Sequence, residues 1–303
     1  MIEGFYGRPW TTDERTDAIR FLAEVGMNAY VHAPKDDPYH RAQWRTPYPE
    51  AERAGLEAVA RTAADCGVEA GFAISPGLDL RPSDGGDLAA LSGKVADAAS
   101  LGFPWIVLAF DDIPRTDTSA AEQAQVVQAV LAALPASVHS VTVVPTEYIG
   151  TVASPYLAEL SATLDPAVSI MWTGPTVCSP TISAVEAAAW MAAVDGRSTV
   201  LWDKTPVNDG TMAASLHLGP YRGREPELTD HLDGILLNPM NQAVLSRIAI
   251  AAAAEYCAAP NGYDAQASWV RAVERVDAGR GVLGPIDRKS TRLNSSHIPL
   301  SRM

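Results

Sequence analysis

The sequence predicts a single α/β domain folded as a (β/α)8 barrel, the TIM barrel architecture. Apolar, strand-like segments alternate with helical patterns along almost the whole of the 303 residues. Eight such units fit within about 260 residues, close to the usual size of this barrel. An open doubly wound sheet is the competing fold, but no G-x-G-x-x-G follows the first strand.

Eight short apolar segments are predicted as strands because glycine, proline or capping residues bound them. They cover 2–7, 27–34, 68–76, 105–114, 138–145, 168–173, 199–202 and 234–238. Helices are predicted between them at 12–25, 49–66, 87–101, 119–134, from 155, at 183–194 and at 242–258. Several begin at cap residues, such as Thr11 or Thr12 and the pair Ser154-Pro155. The seventh helix is the weakest, because only 227–232 is available for it.

The domain organisation follows from the same pass along the chain. Residues 1–260 are predicted to form the barrel domain, and 261–286 a further helix or the start of a following domain. Residues 287–303 resemble a translated sequencing adapter and turn abruptly Ser- and Arg-rich, so we expect a non-native tail. We expect the chain to be a fragment of a longer protein. No secretion signal is visible, so both a secreted and a cytoplasmic location stay open.

Composition and charge limit the classes of molecule that the protein is expected to bind. The net charge is −13, and without the tail, which carries +3, it becomes −16. Such an acidic surface argues against nucleic acid and anionic membranes as partners, and no apolar stretch is long enough for a membrane span. The three cysteines are expected to be buried free thiols. The six histidines form no H-x-H or H-E-x-x-H, so we predict neither a metal site nor a cofactor.

Two adjacent aspartates end the fourth predicted strand. The segment Trp105–Pro114 reads WIVLAFDDIP, six apolar residues followed by Asp111 and Asp112. Carboxylates at the end of a buried strand must be paired, hydrogen-bonded or held at shifted pKa values. The plain alternative is that they cap the next helix or pair with Arg115. Because strand neighbours point to opposite faces, both can reach one ligand only if the strand bends or ends there.

Polar and aromatic side chains follow nearly every predicted strand, at the end where barrel active sites lie. Aromatic platforms with carboxylates and amides suit a sugar, which has apolar ring faces and hydroxyl edges. Each residue alone has a simpler explanation as packing or turn. Asp36 and Asp37, in particular, are predicted as loop residues partnered by Arg41 or Arg45. The clusters are at 4–10, 35–37, 111–112, 146–148, 172–174, 202–203, 208–209, and at 238 and 241.

Six segments resemble the family 84 glycoside hydrolases, which are β-N-acetylglucosaminidases. They read EGFYGRPW, GMNAYVHAPKDDPYHRAQWR, LAFDDI, PTEYIG, MWTGP and LNPMN, in order between about residues 2 and 260. The resemblance implies a (β/α)8 catalytic domain that removes terminal β-linked GlcNAc from glycoproteins or glycans. It also implies a retaining mechanism in which the substrate's 2-acetamido oxygen is the nucleophile and an oxazoline is the intermediate, an exception to the two-carboxylate scheme.

The resemblance also implies roles for individual residues. Asp111 would hold the acetamido N–H, and Asp112 would be the general acid and base. Since two close carboxylates resist joint ionisation, one is expected to stay neutral. Solvation is the alternative for Lys35, and plain packing the alternative for Trp202. The predicted substrate-binding residues are Gly4, Lys35, Tyr148, Trp202, Asn208, Asp209 and Asn238.

One position departs from the family pattern. After Trp202-Asp203 the family generally carries asparagine, and this chain has Lys204, which donates hydrogen bonds but accepts none. We expect Lys204 to pair with Asp111 and lower its pKa, or to crowd the pocket. A catalytically impaired GlcNAc-binding barrel is therefore the second hypothesis. A third is an unrelated hydrolase with a divalent metal at Asp111, Asp112 and Asp209.

Overall fold

A sheet of eight parallel strands forms the centre of the chain, seen in a computed structural model that describes residues 1–116, 118–278 and 297–299. The strands run in sequence order, each paired in parallel with the next. Their bounds are β1 Ile2–Glu3, β2 Ala29–His32, β3 Glu69–Ile74, β4 Trp105–Ala109, β5 Ser140–Val144, β6 Ser169–Trp172, β7 Thr199–Asp203 and β9 Gly234–Leu237. The predicted (β/α)8 barrel is confirmed.

Helices connect successive strands and cover the outside of the sheet. They are α1 Thr12–Glu24, α2 Glu50–Asp65, α3 Gly85–Ser100, α4 Ser119–Ala132, α5 Pro155–Thr163, α6 Ala184–Ala193, α7 Ala243–Ala258 and α8 Ala265–Asp277. The predicted cap residues start two of them: Thr11 forms a capping box with Glu14 on α1, and Ser154 caps α5 ahead of Pro155. The predicted and observed ends differ by a few residues, because terminal turns depend on local hydrogen bonds.

Two apolar cores follow from the alternation of side chains along each strand. On β4, Trp105, Val107 and Ala109 point into the barrel, where they pack with Met171, Trp202 and neighbouring residues. Ile106, Leu108 and Phe110 point outward into the larger core under the helices. The apolar segment before the aspartates is therefore buried on both faces, as predicted.

The connection between β7 and β9 differs from a regular unit. A 3-10 helix, Pro226–Asp230, takes the place of the seventh helix, and a short strand, β8 (Ser215–His217), precedes it. Strand β10, His297–Pro299, pairs with β8 in antiparallel fashion, and the rest of the expected tail lies outside the described residues. No helix in the described part of the chain is long and apolar enough to cross a bilayer.

The cysteines are free, as predicted, but the expected burial is wrong. Cys178 and Cys257 are exposed, and Cys66 is half-buried. Their alanine- and valine-rich surroundings in the sequence suggested burial, but Cys257 lies in the last turn of α7 and Cys178 in the loop after β6.

Candidate active site

The end of β4 places both aspartates at the carboxyl ends of the strands. The strand stops at Ala109, and Asp112 adopts a φ of 55°, in the left-handed region that asparagine and aspartate tolerate better than most residues. Tyr6 and Tyr148 both donate to Asp112, and the charges of both aspartates raise the pKa of these two tyrosines. Arg115 pairs with Glu147 at 2.8 Å instead. The strand therefore ends where the predicted pair required it to end.

Asp111 forms a buried ion pair with Lys35. The Lys35 Nζ lies 2.8 and 2.6 Å from the two carboxylate oxygens, and both side chains are 2% exposed. Burial acts to raise the pKa of Asp111, but the ammonium groups of Lys35 and Lys204 outweigh it and hold that pKa below its usual value. Asp111 is thus ionised, and solvation of Lys35 is excluded.

Asp112 accepts hydrogen bonds from two tyrosines. Tyr6 Oη donates to one oxygen at 2.8 Å and Tyr148 Oη to the other at 2.9 Å. Burial and the carboxylate of Asp112 raise the pKa of both tyrosines well above its usual value, so both stay protonated donors near neutral pH. Arg41 donates to Tyr6 Oη and to the backbone oxygen of Asp112, which holds this arrangement from behind.

The loop after β1 holds Tyr6 in place through backbone bonds to three other loops. Gly4 N donates to Asn238 Oδ1 at 3.1 Å, Tyr6 N to Asp209 Oδ2 at 2.8 Å, and Gly7 N to Asp36 Oδ2 at 2.8 Å. The first of these bonds joins the ends of β1 and β9. Three predicted site residues, Gly4, Asn238 and Asp209, are therefore brought together around Tyr6.

Trp202 forms a buried wall beside these groups. It is 1% exposed, and a Cβ on Gly4 would lie 2.4 Å from its ring, so only glycine fits at residue 4. Lys204 Nζ lies 3.3 Å from the ring centroid and Lys35 Nζ lies 5.3 Å from it. Trp202 also packs in the inner core, so it serves both the wall and the packing.

The side chain of Asn208 forms hydrogen bonds with other parts of the protein. Its side-chain amide donates to Ser215 O and Gln242 Oε1, and its oxygen accepts from Asn241 N. These bonds fix the loop that carries Asp209. Substrate contact by Asn208 stays a prediction, and its described contacts point to a positioning role.

Several contributing residues were missed or misassigned from sequence. Asp36 lies at the rim loop as expected, but Arg41 contacts Tyr6 and Arg45 pairs with Asp79 and Asp87, so the predicted Arg41 or Arg45 partnership is wrong. Asp37 accepts instead from Tyr48 Oη. No spacing in the sequence gives these partners, because the loops that supply them meet only in the folded barrel.

A second buried ion pair sits directly after Trp202. Asp203 accepts from Arg224 Nε at 2.8 Å and from Tyr221 Oη at 2.9 Å, and the side chains of Asp203 and Arg224 are 0% and 4% exposed. This pair anchors the long connection after β7 to the barrel. No sequence signal pointed to Arg224, which lies 21 residues further on.

The described residues give little support to a metal centre. Within them, no group of three or more His, Cys, Asp or Glu side chains is placed to hold a metal ion. Both oxygens of Asp111 already bind the ammonium of Lys35. The carboxylate of Asp111 therefore has the ammonium of Lys35 as its partner.

These features define a (β/α)8 barrel with a carboxylate pair at the rim where barrel enzymes place their catalytic groups. A sequence model described as beta-N-acetylglucosaminidase matches residues 1–285. Over 265 residues the chain is 34% identical to Protein O-GlcNAcase of Rattus norvegicus and, equally, of Mus musculus, covering 82% of this chain and 29% of each relative. A solved mutant of Thermobaculum terrenum O-GlcNAc hydrolase superposes with a TM-score of 0.90 at 33% identity, covering 98% of this chain and 66% of that one.

The chain belongs to the β-N-acetylglucosaminidases of glycoside hydrolase family 84. It corresponds to their catalytic domain and spans less than a third of the length of the rat and mouse proteins.

Proposed function

We propose that this domain is a retaining exo-β-N-acetylglucosaminidase that removes terminal β-linked GlcNAc from glycoproteins or glycans through the substrate's own 2-acetamido group. The observation that carries the proposal is the division of labour between the two aspartates. Asp111 is buried against an ammonium and Asp112 is exposed between two tyrosine hydroxyls. The names of the relatives, O-GlcNAcase and O-GlcNAc hydrolase, agree with this substrate.

Asp111 is suited to orient the acetamido group. A carboxylate has about four lone-pair sites, and Lys35 uses one on each oxygen, so room remains for the acetamido N–H. When the acetamido oxygen attacks the anomeric carbon, positive charge develops on the forming ring. The ionised Asp111 is buried, and it stabilises that charge at a position where such an interaction is stronger than in water.

Asp112 is suited to move the proton. Its exposed position lets it reach the glycosidic oxygen, donate a proton as that bond breaks, and later take one from the water that opens the oxazoline. The hydroxyls of Tyr6 and Tyr148 orient the carboxylate, and each can rotate to accept when Asp112 is protonated. Trp202, Asp209, Gly4 and Asn238 are proposed to form the wall and polar edge for the sugar.

Hydrolysis of 4-methylumbelliferyl β-GlcNAc tests the reaction. We expect turnover with the β-anomer of GlcNAc as the first product by NMR, and kcat reduced by about 100-fold or more in Asp112→Asn. Asp17→Asn, an exposed change on α1, is the control. Substrates with a progressively fluorinated N-acetyl group should react more slowly, because their carbonyl oxygen is a poorer nucleophile. The α-anomer as first product, or equal rates across that series, contradicts the mechanism.

A second candidate function is a GlcNAc-binding barrel with impaired catalysis, favoured by Lys204. Its ammonium acts on Asp111 and Asp112 and helps to lower the pKa of Asp111. Calorimetric binding of GlcNAc without turnover, combined with turnover restored by Lys204→Asn, would select this candidate.

A further inference from the structure

The ammonium of Lys204 lies over the Trp202 ring, next to two anchored residues. Trp202 is buried in the inner core, and Asp203 is fixed by Arg224 and Tyr221. The next residue, Lys204, is half-buried and folds back over the Trp202 ring, with Nζ 3.3 Å from the centroid. Its position is thus set by a buried ion pair and a cation–π contact.

Lys204 has no ion-pair partner of its own in the described chain. The other ammonium over this ring, that of Lys35, donates two hydrogen bonds to Asp111. No described carboxylate oxygen lies within 4 Å of Lys204 Nζ, and its recorded contact is the face of Trp202. An aromatic face satisfies no N–H donor fully, so the donors of this ammonium are available to a bound molecule.

The surrounding charges keep Lys204 close to its titration point. Burial lowers its pKa most, Lys35 lowers it further, and Asp111, Asp112 and Asp209 oppose both, which leaves the pKa at about 8. Lys204 is therefore charged at neutral pH and below, and becomes neutral as the pH rises past about 8.

We propose that Lys204 is a specificity-determining residue that binds an anionic oxygen group, a sulfate or a carboxylate, carried by the GlcNAc or by the group linked to it. This inference rests on the proposed function and names its substrate class. A tetrahedral sulfate or planar carboxylate supplies several acceptors to an ammonium that otherwise has an aromatic face. In a chain of net charge −13, the cations Lys35, Arg41 and Lys204 offset the carboxylates of Asp111, Asp112 and Asp209 at this site, so the site is less hostile to an anion than the acidic surface as a whole.

Competitive inhibition and calorimetry with matched ligands test this. The neutral ligand is phenyl 1-thio-β-GlcNAc; one charged ligand carries a 6-sulfate on the sugar, the other a 4-carboxylate on the phenyl ring. At pH 6.5 we expect at least one charged ligand to bind about tenfold more tightly than the neutral one, the scale of a charge-assisted hydrogen bond. The charged ligand that gains affinity tells whether the anion sits on the sugar or on the aglycone.

Substitutions and a change of pH show whether Lys204, and not the overall charge of the protein, causes the preference for the charged ligand. In Lys204→Gln the ratio of the affinities for the charged and the neutral ligand should fall to about one. At pH 9.5 the wild type should lose its preference for the charged ligand, and Lys204→Arg should keep it. Arg20→Gln, the same charge change on the outer face of α1, is the control and should keep the preference. Equal preference in wild type and Lys204→Gln overturns the inference. Binding answers this question even if no substrate is turned over, whereas failure of the proposed function shows as absent turnover of the neutral substrate.

Discussion

The two adjacent aspartates differ because their nearest neighbours differ. Asp111 is buried and touches an ammonium, and Asp112 is exposed and touches two hydroxyls. We expected the repulsion between the two carboxylates to decide their charges. In the structure the ammonium of Lys35 instead keeps Asp111 ionised. A charge pair of this kind is costly to break, because the partner left behind stays buried.

Replacing Lys35 by methionine should therefore destabilise the fold. Lys35→Met leaves the carboxylate of Asp111 buried without its ion pair, and we expect the free energy of unfolding in urea to fall by about 3 kcal/mol. The double change Lys35→Met with Asp111→Leu removes both charges at similar volume and should recover most of that loss. A double variant as unstable as the single one would show that packing, and not the uncompensated charge, sets the cost.

The hydroxyl of Tyr148 should contribute to catalysis by orienting Asp112. In Tyr148→Phe one of the two side-chain donors to that carboxylate is lost, and we expect kcat to drop by about tenfold, since a hydrogen bond to a charged group is worth about 1.5–3 kcal/mol. The circular dichroism spectrum and Tm should change little. Tyr39→Phe removes a hydroxyl from another half-buried tyrosine and is the control; an equal loss in both variants would contradict the assignment.

At the level of single residues, sequence was most informative where chemistry dictates composition. An Asp-Asp after six apolar residues predicted a functional pair, with helix capping as the alternative, and the structure places the pair at the rim. Tyr6, which donates to one oxygen of Asp112, lies 106 residues from it in sequence. The supporting Arg41 lies 71 residues from Asp112. No local pattern in the sequence pairs these residues.

At the level of elements, the loop after β1 organises the rim. Its backbone amides bind side chains from the loops after β2, β7 and β9, and its glycines allow close approach to Trp202 and Asn241. Strand and helix periodicity predicted the units on either side. The short seventh helix predicted at 227–232 is a 3-10 helix at Pro226–Asp230. Strand β8 was not predicted, because that connection has no strand period and is held by the Asp203–Arg224 pair.

Adding a methyl group at Gly4 should disturb this loop. In Gly4→Ala the new Cβ would lie 2.4 Å from a ring carbon of Trp202, which cannot move without displacing the inner core. We expect the free energy of unfolding to fall by about 1–3 kcal/mol, the usual cost of overpacking, and turnover to fall as well. Gly85→Ala, at the start of α3 with open space around it, is the matched control and should keep both.

At the level of the whole molecule, the barrel and the helix after it form one packed body. Helix α8 lies against α7, and Trp269 on α8 is 1% exposed and donates to the backbone oxygen of Leu218, in the connection after β8. Family similarity extends to residue 285, past the predicted barrel boundary at 260. Helix α8, Ala265–Asp277, therefore packs as part of the barrel surface. The domain boundary at 260 and the non-native tail from 287 onward stay predictions.

Two truncations distinguish these segments. A chain ending at Ile286 removes the predicted non-native tail, and we expect its Tm and its activity on aryl β-GlcNAc to match those of the full chain. A chain ending at Ala258 also lacks α8 and its buried Trp269. Its free energy of unfolding should fall by several kcal/mol, since deleting one buried tryptophan side chain costs about 3–5 kcal/mol. Urea and thermal unfolding of the three chains, followed by circular dichroism, give the comparison. If ending at Ile286 lowers the Tm as much as ending at Ala258, the pairing of β10 with β8 belongs to the fold and the tail is not dispensable.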